Sequence, residues 1–165
     1  MRRLLAVGIT ALLVFGSAPA FSQDQPQQEE AAPALSEKDV KKLRSSYDTL
    51  AGKIKVIRGQ IKAVSSFKGK VKDFAKLIED VKKSITEARK ECVEIAALSE
   101  AVEWSKAPKL AERMAGELDT LGALASVLKS PEDVNSATKG ELKQSDRALK
   151  KALKQLGDAP PVAAR

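Results

Sequence analysis

A chain of 165 residues with 43% hydrophobic and 31% charged side chains suits one packed domain and is too apolar to stay unfolded throughout. Histidine is absent and cysteine occurs once, at Cys92, so an internal disulfide is excluded and the commonest metal ligand and general base are missing. The formal net charge of +7 either draws the protein toward phosphate- or carboxylate-rich partners, with a strength that falls as salt rises, or serves only solubility.

Residues 1–20 read as a secretory leader. Arg2 and Arg3 supply the positive start, residues 4–15 a short apolar core, and Ala18-Pro19-Ala20 the small-x-small cleavage pattern. A cut after Ser22 is the alternative site. An uncleaved anchor is the rival reading, opposed by an apolar run that is short for a membrane span. The mature protein is therefore expected to be exported, to the bacterial periplasm or the cell exterior. Without Arg2 and Arg3, 27 basic side chains face 22 acidic ones. Residues 21–35, rich in Gln, Pro, Glu and Ala with no apolar period, are expected to form a disordered acidic linker carrying Asp24, Glu29 and Glu30.

The strongest pattern lies in residues 40–64. Val40, Leu43, Tyr47, Leu50, Ile54, Ile57, Ile61 and Val64 recur in alternating steps of three and four, the seam of a helix that packs on partner helices. Ser36 is its expected N-cap, with Asp39 returning a bond to the Ser36 N–H in a capping box. A second line, Ser45, Gly52, Gly59 and Ser66, recurs every seven residues and reads either as a close-contact face, for a neighbouring helix or another copy, or as solvent-facing chance. Between residues 36 and 66, eight Lys or Arg face only Glu37, Asp39 and Asp48. Lys41, Arg44, Lys53, Lys55, Arg58 and Lys62 are the candidate partner-binding residues; a plain solvated face is the alternative meaning of such a run.

A turn is expected at residues 65–69, where the seam changes phase, though one long bent helix would also accommodate the slip. The next line, Phe67, Val71, Phe74, Ile78, Val81, Ile85, Ala88, Cys92 and Ile95, predicts a second helix with Cys92 as a small buried hydrophobe. Its end is open between Ser99 and Ser105. Pro108 fits only the first turn of a new helix, so the third starts near Ala107, a kinked helix from Glu100 being the alternative. Trp104 caps the core or faces a partner. Leu110, Met114, Leu118, Leu121, Ala125 and Leu128 form the third seam among many small residues. Ser130-Pro131-Glu132-Asp133 predicts the start of a fourth helix. That helix uses Val134, Ala137, Leu142, Leu149, Ala152, Leu153 and Leu156, with Gly140 as an interruption point and Gly157 as its stop. Lys150, Lys151 and Lys154 read as complements to the helix dipole. Residues 158–165 are expected to form a flexible tail.

The expectation is an all-α, antiparallel bundle of three or four long helices with coiled-coil-like packing, spanning residues 36–157. Carboxylates such as Glu79 and Asp80, or Glu91 and Glu94, alternate with lysines as solvent-facing ion pairs do. No metal cluster, haem attachment motif or phosphate loop occurs, so no catalytic residue, metal site or cofactor is assigned. Leu35-Ser36-Glu37-Lys38-Asp39 resembles the Leu-Thr-x-x-Gln motif of Spy-like periplasmic chaperones, departing at two of its five positions and lacking a second copy. The expected architecture also resembles the periplasmic four-helix cytochromes, whose haem does not carry over without the ligating histidine. The expected function is a non-enzymatic interaction module, chaperone- or adaptor-like, that binds another protein in the cell envelope. The alternative is a binder of anionic lipid, lipopolysaccharide or another envelope polyanion. Nucleic acid is not an expected partner, and self-association stays open.

Overall fold

The structure, a computed structural model, describes residues 36–101 and 106–159. The leader, the acidic linker, Trp104 and the last six residues lie outside them. Four helices follow in chain order: α1 (Glu37–Ser65), α2 (Val71–Ala101), α3 (Ala107–Val127) and α4 (Ser136–Gly157). The described residues contain no strand. None of these helices is long and apolar enough to cross a membrane.

The seams close on each other as a helical bundle. Leu43, Leu50, Ile54, Ile57, Ile61 and Val64 of α1 are buried, and so is the α2 line from Phe74 to Ile95, Cys92 included. Ala107, Ala111, Met114, Leu118, Leu121 and Ala125 of α3 join them. Each helix packs on its neighbours in the chain, and α4 returns to pack on α1, the lightest of these contacts. Gly122 lets α3 approach α2: a Cβ there would lie 3.8 Å from the Ile85 Cγ2. Serine and threonine are accommodated inside the helices because their hydroxyls donate to carbonyls four residues back, as Thr49 does to Ser45 and Thr120 to Gly116.

The turns explain where helices stop. Phe67 tucks its ring edge-on against Phe74, centroids 5.2 Å apart, which folds residues 66–70 into a tight link. Ser36 caps α1, but its hydroxyl accepts from Lys38 N–H, and Asp39 donates its own N–H to the Ser36 carbonyl instead of closing a capping box. Pro108 lies in the first turn of α3 as expected. The fourth helix departs from the sequence reading. Residues Pro131–Asp133 form only one 3-10 turn, in which the Asp133 carboxylate accepts the N–H groups of Lys129 and Ser130, each at 2.8 Å. These bonds hold the Asp133 pKa below its usual value. The helix proper starts at Ser136, because Asn135 caps it by accepting the Thr138 N–H while Thr138 donates to the Asp133 carbonyl. Two successive caps thus compete, and the second one propagates. Gly140 does not interrupt α4. The α4 core line runs Leu142, Ser145, Leu149, Ala152 and Leu156, with a serine in a seam position.

The Ser45, Gly52, Gly59 and Ser66 line is exposed, and open space surrounds the Cβ position of both glycines. No helix among the described residues packs there. Gly52→Ala and Gly59→Ala should therefore each stabilise α1 by up to about 1 kcal/mol, read from urea unfolding midpoints. A loss instead of a gain would mean that the line is covered in solution.

Candidate functional site

Charge is distributed unevenly over the four helices. Eight Lys or Arg face three acids in α1, and six face two in α4. By contrast α2 carries six basic and seven acidic residues, and α3 two and three. The excess positive charge of the helices therefore sits on the first and the last of them, which pack on each other.

Helical phase decides which way these cations lean. On α1, Lys41, Arg44, Asp48, Ala51, Lys55, Arg58 and Lys62 follow one another in steps of three and four, so they share one line. Arg58 identifies what that line faces. Its guanidinium donates to both carboxylate oxygens of Asp146 on α4, at 2.6 and 3.2 Å. This pairing raises the Arg58 pKa above its ordinary value, mainly through the hydrogen bond to Asp146, so the charge is permanent. On α4, Lys139, Lys143, Asp146, Lys150, Leu153 and Gly157 form the matching line. Its far end is held by Tyr47, whose hydroxyl donates weakly to the Leu153 carbonyl at 3.5 Å. Gly157 leaves room for the ring, since a Cβ there would overlap the Tyr47 hydroxyl and stand 2.8 Å from Cζ. Burial, followed by the nearby Asp158 and Asp48 charges, raises the Tyr47 pKa and keeps the phenol neutral.

Five of the six residues singled out by sequence thus share one line of α1, of which Lys55, Arg58 and Lys62 lie level with α4, and Lys53 is not on it. Lys53 lies on the opposite flank, where it donates to Glu91 of α2 at 2.7 Å and to the Glu87 carbonyl at 3.5 Å. It and Arg58 fasten α1 to its two neighbours. Lys41 makes one long exposed contact with Glu37, at 4.0 Å. Arg44, Lys55 and Lys62 have no carboxylate partner among the described residues. The same holds for Lys139, Lys143, Arg147, Lys150, Lys151 and Lys154 of α4, all exposed. Sequence reasoning did not assign this second row, although its spacing of Lys143, Arg147, Lys150 and Lys154 is that of one helix face.

Other chemistry is muted. Burial pushes the Cys92 thiol up to about 12, with Glu91 adding to the shift, so it stays protonated at neutral pH. No group of three or more Cys, Asp or Glu among the described residues is placed to hold a metal ion. Elsewhere Lys42 pairs with Glu94 at 3.6 Å and Arg89 with Asp119 at 3.0 Å, cross-helix pairs on the less charged side. No protein-family model matches the chain, and no curated protein and no solved structure matches it.

Proposed function

We propose that the protein is a non-enzymatic, exported interaction module of the cell envelope that holds an anionic partner on the face shared by α1 and α4. The observation that carries this reading is the convergence of two rows of cations from adjacent helices, most of them without a carboxylate partner among the described residues. Cations serving only solubility need not converge; they are interspersed with acids, as they are on α2. The regular three-four seams support antiparallel neighbours packed in coiled-coil fashion, a rigid frame for such a face. The exposed large apolar residues Val56, Val71, Val93 and Val127 fall on three different helices. That spread favours an adaptor held by charge over a chaperone that grips apolar clients.

The test keeps net charge constant and moves the change between faces. One variant carries Lys55→Glu, Lys62→Glu, Lys143→Glu and Arg147→Glu; its control carries Lys72→Glu, Lys76→Glu, Lys83→Glu and Lys90→Glu on α2. The first should leave a phosphate-bearing matrix at clearly lower salt than the second, with equal helix content by circular dichroism. Equal elution would mean that net charge alone governs binding and the face has no role.

A further inference from the structure

We infer that the partner is a linear polyanion, a chain with an anionic group at each repeat, lying along the groove between α1 and α4; this rests on the reading above and narrows its partner. The observation is the direction in which the cations lean. From Ser45 to Ser66 the outermost positions of this face are Ser45, Thr49, Gly52, Val56, Gly59, Ala63 and Ser66, every one exposed and uncharged, while Lys38 and Lys42 continue the stripe toward the start of α1. The cations Lys41, Arg44, Lys55 and Lys62 stand to one side of that stripe, on the line whose Arg58 meets α4. On α4 the cations Lys139, Lys143 and Lys150 stand on the line whose Asp146 meets α1, with Arg147 and Lys154 beside it.

The two rows also share a level. Arg58 meets Asp146 and Tyr47 meets Leu153, so α1 and α4 run in opposite senses. That register sets Lys62 level with Lys139 and Lys143, and Lys55 level with Arg147 and Lys150. Cations therefore flank the groove from both banks, with Arg58 and Asp146 neutralising each other at its floor.

A flat anionic bilayer would meet the outermost line of each helix. On α4 that line includes Arg147 and Lys154, but on α1 it is small and uncharged from Ser45 to Ser66, and its largest apolar residue there is Val56, a poor group for insertion. A linear chain instead lies between the banks and is contacted from both sides. From Lys139 to Lys154 the α4 row extends about 22 Å at 1.5 Å per residue, so a partner must be at least that long to engage it fully. Tyr47 is committed to Gly157 and offers no free ring for base stacking, so the recognition is of repeated charge.

The experiment measures affinity of the purified mature chain, from Phe21 onward, for long-chain polyphosphate, for tripolyphosphate, and for vesicles of phosphatidylglycerol in phosphatidylcholine. The expected result is at least about tenfold tighter binding of the long chain per phosphate. It should weaken steeply between about 50 and 200 mM salt as condensed counterions are displaced, with a slope near 0.7 per contact. Lys55→Glu with Lys62→Glu, and separately Lys143→Glu with Lys150→Glu, should each flatten that slope by about two contacts, since either bank supplies part of the groove. Tripolyphosphate binding as tightly per phosphate as the long chain would reduce the groove to isolated anion sites and overturn the inference. So would vesicles binding more tightly at equal charge concentration. If polyphosphate fails while the two face variants still elute apart, only the linear partner is overturned. If the variants also elute together, the anionic-partner reading falls with it.

Discussion

Replacing Phe74 by alanine is expected to destabilise the protein by about 3–5 kcal/mol, a large share of the 5–15 kcal/mol that holds a domain of this size together. Phe74 is fully buried in the first turn of α2, where it closes the end of the core beneath the α1–α2 link. Its ring receives Phe67 edge-on, 5.2 Å between centroids at 62°. Truncation removes the largest apolar surface at that end and leaves a void that Val64 and Phe67 can fill only by moving. Phe67 is half-buried, so Phe67→Ala should cost less, about 1–2 kcal/mol. Phe74→Leu keeps most of the volume and should cost below about 1.5 kcal/mol. Urea unfolding followed by far-UV circular dichroism orders the three, with an unchanged slope expected because the exposed area hardly differs. A loss below about 1 kcal/mol for Phe74→Ala would mean that this end of the bundle is open. Gly69 belongs to the same device: a Cβ there would come 2.7 Å from the tip of the Phe67 ring, so the ring has to swing away.

Much of this core was legible from spacing alone, and the reason is physical. A helix buried on one side must place apolar residues every three or four positions; α2 from Phe74 to Ile95 and α3 do so without a break, and α1 breaks once, at Ser46. The places that resisted are those where a residue type contradicts its position. Ser46 and Ser145 are buried in seam positions that apolar counting skips, because serine is small enough to sit between larger neighbours. Tyr47, read as a seam residue, is half-buried and leans onto α4, with Ser46 behind it. The start of α4 resisted because two good caps, Ser130 and Asn135, stand five residues apart, and a cap says where a helix can start, not whether it continues.

The candidate face was legible by half for a different reason. The α1 row is visible as a local excess of cations. Lys139, Lys143 and Arg147 are as visible, but their meaning depends on α4 lying beside α1, a first-to-last contact that no periodicity within either helix encodes. The Lys150, Lys151 and Lys154 run was therefore explained by the helix dipole, which accounts for a cation near a helix end and for nothing about a row. Likewise Lys53 and Arg58 look equivalent to Lys55 and Lys62 in sequence. Only their phase against α2 and α4 turns them into fasteners.

Asp146 gives the second large prediction, because it ties stability to binding. It is the one acid on the α4 row, and it neutralises Arg58 between two banks of like charge. The side chains of Arg58 and Asp146 are 31% and 20% exposed, so the pair lies between a surface bridge and a buried one. Asp146→Ala should cost about 2–3 kcal/mol, since it removes the bond and leaves Arg58 facing Lys143 and Lys150 without relief. Arg58→Met should cost less, about 1 kcal/mol, because Asp146 then has other cations within its own row to satisfy it. The two losses should also respond differently to salt: the Asp146→Ala deficit shrinks as repulsion is screened, while the Arg58→Met deficit barely moves. Long-chain polyphosphate should oppose the same repulsion, bind Asp146→Ala more tightly and so stabilise it more than the unmodified protein at equal ligand concentration, each protein gaining about 2.7 kcal/mol where the free ligand is a hundredfold above its own dissociation constant. Thermal melts with and without salt and polyphosphate read each of these quantities. Equal, salt-independent losses for the two variants would make the pair a packing contact. The α1–α4 contact would then be light for reasons other than charge. Unequal, screened losses would mean that the lightest seam of the bundle is held against its own cations, a repulsion that an anionic chain in the groove would relieve.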